Sequence, residues 1–342
     1  MTLDRFREHF ERIVAELRKV VIGQEHALEQ LLATLFAEGH VLLTGVPGLG
    51  RTLLGTSLAR VLGLSSNRIQ FTPDLLPSDI IGTEVLQESK DRKVREFRFF
   101  KGPVFANMIL ADEINRSPAR TQSALLEAMQ EQQVTLGGAR HPVPQPFVII
   151  ATQNAIESEG VYPMPEAQLD RFMMLVDLDY PSEEEELGIL EATTGPTGSS
   201  VERVVDAATV LAMQRLARLV PVTPSVKRFA LALVRGSRPG RPDSSDAVGK
   251  LLRWGASPRA GQCLLRAGKV LAIVRGRRYV ARADIKDIAV PVLRHRLVPD
   301  YRAGGREGAG IEKLVHRMVE DVDRRSCPEA GSRRMRHLLQ WS

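Results

Sequence analysis

The chain has 342 residues, of which 43% are hydrophobic, 26% charged and 5% aromatic, with a formal net charge of +6. That length suits two domains, and the composition supports a sizeable, mainly aliphatic core in a soluble, globular protein. No apolar run approaches the roughly 18 residues that span a bilayer, and the charged start from Met1 to Leu17 lacks the apolar stretch of a secretory leader, so the cytoplasm is the expected location.

The pattern at residues 4–20 predicts a helix with Phe6, Phe10, Ile13, Val14 and Leu17 on one face. A second helix follows over 24–38 and stops at Gly39. The run His40-Val41-Leu42-Leu43-Thr44 reads as a short buried strand leading into a glycine-rich loop, with a helix over 53–62 after it. Gly55 inside that helix costs about 1 kcal/mol relative to Ala, which predicts a soft helix. Further strands are expected at 68–72, 107–111, 146–152 and 172–178. Ser117 and Pro118 give a cap and first-turn signal for a helix over 119–131. Residues 134–143, with Gly137-Gly138 near the middle, read as a β-hairpin. Strands alternating with helices predict a parallel α/β sheet covered on both faces.

From residue 182 the pattern changes. A Glu run at 183–186 and a loop rich in Gly, Ser and Thr at 193–200 precede purely helical periods at 204–219, 225–235, 258–275, 282–293 and 311–322. The expected division is an α/β core over 1–181, a smaller all-helical domain over 182–325, and a basic tail over 326–342. Between Lys250 and Arg306 there are 14 Lys and Arg against three Asp, at 284, 287 and 300. Such a stretch suits nucleic acid, an acidic partner, a nucleotide, or simply a solvated arginine-rich surface. No interleaved aromatics support nucleic acid. Cys263 and Cys327 match no metal spacing and predict free thiols in a reducing compartment.

Residues 45–52 read Gly-Val-Pro-Gly-Leu-Gly-Arg-Thr. This is the spacing G-x-x-x-x-G-K-[ST] of a phosphate-binding loop with one letter changed. Its strand–loop–helix setting points backbone N–H groups and a helix N-terminus at phosphate oxygens. Thr52 supplies a hydroxyl for Mg²⁺. Asp112-Glu113 ends the apolar strand Met108-Ile109-Leu110-Ala111, at the carboxyl edge of the sheet where such folds bind ligands. One carboxylate suits hydrated Mg²⁺, and the next suits orienting and deprotonating water.

Six segments then appear in a recognisable order: Ile22-Gly23-Gln24, residues 45–52, Leu110-Ala111-Asp112-Glu113-Ile114-Asn115-Arg116, Ala151-Thr152-Gln153-Asn154, Leu169-Asp170-Arg171-Phe172, and Gly255-Ala256-Ser257-Pro258-Arg259-Ala260. With them the chain resembles the MoxR family of AAA+ ATPases over about residues 20–320. The resemblance implies a P-loop AAA+ core with a five-stranded parallel sheet and a helical lid. It also implies ATP and Mg²⁺, a homo-oligomeric ring (a hexamer in the family), and protein clients, often with von Willebrand factor A domains. Residues 72–81 and 134–143 resemble the helix-2 insert and pre-sensor hairpin of this clade. The nucleotide contacts implied are Val21 and Ile22 beside the adenine, then Gly45, Val46, Pro47, Gly48, Leu49, Gly50, Arg51, Thr52 and Leu53. Thr52 and Asp112 are the implied metal ligands. Glu113 is the implied base, Asn154 resembles sensor 1, Arg171 the arginine finger, and Arg259 sensor 2 acting in cis or in trans.

Arg51 departs from the pattern. Lysine is a compact charge on a flexible stem, whereas arginine is a wide planar fork. A guanidinium there can clash, tilt out, or clamp two phosphate oxygens. The expectation is retained but weakened nucleotide binding and slow or lost hydrolysis, unless the helix around Gly55 lets the loop adjust. Three readings remain open: an ATP-driven remodeller of protein partners, a nucleotide-gated scaffold with little turnover, and a nucleic-acid remodeller.

Overall fold

The computed structural model describes residues 1–88, 95–153, 161–194, 200–300 and 309–326. Helices α1 (Leu3–Leu17) and α2 (Glu25–Phe36) lead into β1 (Val41–Gly45), the glycine loop and α3 (Arg51–Val61). Then come β2 (Ser66–Gln70), the short α4 (Pro77–Ile81), a hairpin of β3 (Gly82–Glu88) and β4 (Arg95–Lys101), β5 (Met108–Asp112) and α5 (Ala119–Glu131). A second hairpin, β6 (Gln133–Leu136) and β7 (Ala139–Pro142), precedes β8 (Val148–Thr152), α6 (Glu166–Leu169) and β9 (Met174–Leu178). The remainder is helical: α7 (Glu183–Thr194), α8 (Ala207–Leu219), α9 (Pro224–Gly236), α10 (Asp246–Leu251), α11 (Pro258–Val274), α12 (Arg282–Asp287), α13 (Ala289–Leu293) and α14 (Ala309–Ser326). One small antiparallel pair, β10 (Leu252–Trp254) with β11 (Val298–Pro299), interrupts it.

The five parallel strands lie in the order β2-β5-β8-β1-β9. In β5, β8 and β1 the side chains alternate between two buried layers, as strand geometry demands, whereas the edge strand β2 buries only Ile69. Val41, Leu43, Met108, Leu110, Val148 and Ile150 face one hydrophobic cluster, which takes in α1, α2, α3 and the C-terminal helices. Leu42, Ile109, Ala111, Ile149 and Ala151 face the other, closed by α5 and the hairpins. The expected boundary at residue 182 falls in the link between β9 and α7, but the first cluster continues across it without a break.

Several expectations need correction. The helix after the loop begins at Arg51, so Thr52 and Leu53 are helical. Gly55 is a packing residue: a Cβ there would lie 2.2 Å from Leu110 Cδ2, so α3 sits close on β5 only because this position is bare. Ser117 does not cap α5; Pro118 occupies the cap position, and the buried Ser117 hydroxyl has no hydrogen-bond partner. Beyond residue 81 the chain runs directly into the β3–β4 hairpin. The Glu run forms the first turn of a helix, α7. The smaller domain carries the β10–β11 pair as well as helices. Cys263 is a buried free thiol, as expected; Cys327 and the rest of the tail beyond Ser326 lie outside the described residues. Among the described residues no helix is long and apolar enough to cross a membrane.

His40 pins the start of β1. Its Nδ1 accepts from the Ile149 backbone N–H at 3.0 Å, and its Nε2 meets the Met129 carbonyl at 3.3 Å. Burial, with a smaller push from Arg266, depresses its pKa from 6.5 to about 4. Burial pushes His295 down as well. An unfolded chain therefore takes up protons that the folded one refuses between about pH 6.5 and 4. The stabilisation is complete above 6.5 and is lost as pH falls toward 4, by up to roughly 3 kcal/mol for His40. Urea unfolding across this range should show that loss, and His40→Gln should flatten the slope; an unchanged slope would contradict the assignment.

Candidate functional site

The loop between β1 and α3 needs three left-handed glycines. Gly45 has φ 135°, and a Cβ there would strike the Leu178 carbonyl oxygen at 2.4 Å. Gly48 (φ 91°) and Gly50 (φ 70°) differ, because a Cβ at either would meet nothing within 4 Å. Gly50 precedes α3 with no side-chain cap, so the first N–H groups of the helix face this open side together with the loop backbone. Free N–H groups at a helix start, next to glycines with open space around them, fit a phosphate chain.

Arg51 turns back on the loop itself. Its Nη2 donates to the carbonyl oxygens of Gly45 and of Val46, the latter at 2.8 Å. Its Nη1 donates to the Gln153 carbonyl at 3.3 Å. Burial lowers the guanidinium pKa, and Asp112, Glu113 and Asp177 act the other way. The fork thus lies along the loop and ties its two ends to the residue that follows β8.

The carboxylates lie beside it. Asp112 is buried, and its Oδ2 accepts from the Thr52 hydroxyl at 3.3 Å, while Thr152 Oγ1 lies 3.5 Å from Oδ1. Arg68 Nε also reaches Oδ2, at 2.6 Å. Glu113 adopts the left-handed region (φ 56°), uncommon for a side-chain-bearing residue and of a kind found at functional sites. Its backbone N–H is held by Thr152 Oγ1 at 2.9 Å. Its Oε2 accepts from Arg116 Nη1 at 2.8 Å and Gln70 Nε2 at 3.3 Å. Arg68, Gln70, Arg116 and Thr152 were not among the expected site residues. Parallel pairing of Gln70 with Asp112 brings the end of β2 to the carboxylates, and that pairing is not readable from β2 alone. The Thr52 hydroxyl and the Asp112 oxygen are hard donors meeting at one point, which suits Mg²⁺. Among the described residues no group of three or more His, Cys, Asp or Glu could cage a metal, so a cation here would share its ligands with phosphate.

Other expected residues sit elsewhere. Leu53 is half exposed at the start of α3. Val21 packs against the larger cluster, and Ile22 comes within 3.7 Å of where a Gly188 side chain would begin on α7. Asn154 lies outside the described residues. Arg171 and Arg259 line a separate cavity of about 550 Å³ with Arg218, Arg266, Lys269 and Glu38. Its wall includes Gly39 and His40, which precede β1, whereas the glycine loop follows β1. A five-residue strand spans roughly 16 Å. The two arginines are therefore at the opposite end of the strand from the loop of their own chain.

Comparison with known proteins shows what the whole chain is similar to. Residues 40–174 match the ATPase family associated with various cellular activities (AAA), and residues 245–318 match the AAA lid domain. Chaperone MoxR1 of Mycobacterium tuberculosis is 42% identical, covering 91% of this chain and 81% of that protein. Protein MoxR of Paracoccus denitrificans is 30% identical, covering 88% and 92%. A crystal structure from Cytophaga hutchinsonii superposes with a TM-score of 0.84 at 39% identity, covering 93% and 95%.

Arg51→Lys keeps the cation but removes the fork. Without nucleotide, amide exchange at Val46, Gly48, Leu49 and Gly50 should then speed up about fivefold or more, at ~1 kcal/mol per hydrogen bond lost. Exchange measured by mass spectrometry or NMR checks this; equal protection in both proteins would contradict the tie.

Proposed function

We infer, for a chain that belongs to the MoxR family of AAA+ ATPases, that it binds ATP with Mg²⁺ at the glycine loop and hydrolyses it slowly, completing each site with a neighbouring copy. The observation that carries this reading is the meeting of the Thr52 hydroxyl and the Asp112 carboxylate beside a loop whose Gly48 and Gly50 face open space.

The loop of residues 45–53 holds the phosphates through the backbone N–H groups of its residues other than Pro47, which has none. Thr52 and Asp112 would hold Mg²⁺, which when bound offsets phosphate charge. Glu113 orients a water molecule and accepts its proton. To do so it must exchange the hydrogen bonds of Gln70 and Arg116 for one to water. Asn154 polarises the same water, as the family resemblance implies. Val21 and Ile22 flank the base.

Arg171 and Arg259 act on the site of the next copy in a ring, because their own loop is a strand length away. A cation supplied this way stabilises transition-state charge, an effect worth orders of magnitude in rate. The relative named as a chaperone supports a remodelling role on protein partners; von Willebrand factor A proteins are candidates on the family resemblance alone. Many cations of the basic stretch find acids within the chain: Arg275 with Asp287, Arg277 with Asp284, Lys286 with Asp323, and Arg294 with Glu312. This removes most of the motive for a nucleic-acid role.

A second reading, a nucleotide-gated scaffold with little turnover, draws on one observation. The Arg51 guanidinium is bound to loop carbonyls, so its charge is directed away from the open side of the loop.

Nucleotide affinity and steady-state turnover separate the two. Arg51→Lys should raise turnover by roughly ten- to a hundredfold, since a misplacement of about 1 Å can cost that much. Glu113→Gln should bind ATP and not hydrolyse it. Equal turnover in wild type and Arg51→Lys would show that Arg51 does not limit the rate. Equal turnover in wild type and Glu113→Gln would leave only the scaffold.

A further inference from the structure

The segment that carries Arg171 is not held by the core alone. Arg296, which follows α13, is buried, with a side chain only 1% exposed; its guanidinium meets residues 170–173 and also reaches the Val292 carbonyl, His295 Nε2 and Cys263 Sγ. Its Nε meets Asp170 Oδ1 at 2.7 Å. Its Nη2 donates to the Asp170 carbonyl at 3.0 Å and to the Phe172 carbonyl at 2.6 Å. Its Nη1 donates to the Met173 carbonyl at 3.1 Å. One Nη2 therefore grips the peptide carbonyls on both sides of Arg171. The Arg171 side chain is fixed at its far end too, where Nη1 donates to the Leu126 carbonyl at 3.0 Å.

Asp170 also links this segment to the second arginine. Its Oδ2 accepts from Ser257 Oγ at 2.9 Å and lies 3.9 Å from Arg259 Nη1. Ser257 is the cap of α11, and its Oγ accepts the Arg259 backbone N–H at 3.2 Å. A single carboxylate thus ties together the buried Arg296, the start of α11 and the segment bearing Arg171. Asp170 is only part-buried, but Arg296 is buried, so removing the carboxylate's charge strands the guanidinium. Arg171 and Arg259 both line the cavity at the foot of β1, so an error in this link would displace both.

We propose that Asp170 and Arg296 form a positioning couple that holds Arg171 and Arg259 as one array directed at the nucleotide of the neighbouring copy. This rests on the reading of Arg171 and Arg259 as residues acting in trans. Neither Asp170 nor Arg296 touches nucleotide; each acts through the two arginines. The couple also joins the helical domain to the arginine segment, so the two move together. Positioning groups must be held within about 0.5 Å to be effective, and a backbone clamped on both sides of one residue achieves that.

The test uses Asp170→Asn, Arg171→Ala and the double variant in the full chain, reading affinity for a fluorescent ATP analogue and ATP turnover. Affinity should stay within about twofold in all three, because the glycine loop is remote. Turnover of Asp170→Asn should fall about tenfold or more, and in the Arg171→Ala background the same change should cost clearly less than in the wild type, only the share that acts through Arg259 remaining. A structural staple with no link to the arginine would give losses that multiply, and that result, or wild-type turnover in Asp170→Asn, would overturn the couple. If Arg171→Ala itself turns over like wild type, the trans reading fails and the couple falls with it. If Arg171→Ala is impaired while Asp170→Asn is not, only the couple fails. Should Asp170→Asn not fold, Ser257→Ala replaces it. That change leaves Arg296 paired and cuts only the link to α11, and its smaller loss should be absent in an Arg259→Ala background; a loss that persists there would overturn the proposal.

Discussion

The length of strand β1 constrains everything else. The glycine loop follows its last residue, and the arginine cavity opens before its first. A chain built this way holds phosphate and metal ligands at one edge of the sheet and two arginines at the other. It cannot bring them together by moving side chains, because a strand buried in both layers does not shorten or slide. On the proposed trans reading, completion comes from a second copy. The Asp170–Arg296 link belongs to the same logic. Charges meant for a neighbour must be held rigidly by their own chain, and here a fully buried guanidinium supplies that rigidity.

Arg51 changes the other edge. A lysine at this position would present three N–H donors from a narrow head; the arginine instead spends its donors on the Gly45, Val46 and Gln153 carbonyls. The loop keeps its shape through that tie, and the charge remains within reach of Asp112, Glu113 and Asp177. Binding of a polyanion survives such a change better than catalysis does. Attraction falls slowly with distance, whereas stabilising a transition state needs a donor at one place. The glycine at position 55 offers no adjustment, since it is already filled by Leu110 pressing on α3.

Much of this was legible in the sequence, for local reasons. Four of the five strands announce themselves as short apolar runs, the polar β2 being the exception, and the loop, the acidic strand end and the arginine segment are contiguous motifs. The order β2-β5-β8-β1-β9 was not legible, because it depends on which buried strand pairs with which, and their compositions are alike. For the same reason Arg68 and Gln70 went unnoticed: they belong to the site only because β2 lies beside β5. The β3–β4 hairpin and the helical Glu run were missed because neither shows a clean apolar period; Phe97 and Leu187 stay exposed. Arg296 looked like one more cation in a basic stretch, and only its burial against residues 170–173 distinguishes it.

The division of each site between two copies is tested most directly by mixing two impaired proteins. Glu113→Gln keeps its arginines but loses its base; Arg171→Ala keeps its base but loses its finger. Each alone should turn over ATP far more slowly than the wild type. Mixed rings contain interfaces where an intact Glu113 meets an intact Arg171, so ATP turnover should return on mixing and peak near equal amounts. If the mixture stays as slow as its parts while both proteins bind nucleotide and associate, the arginines do not act across the interface.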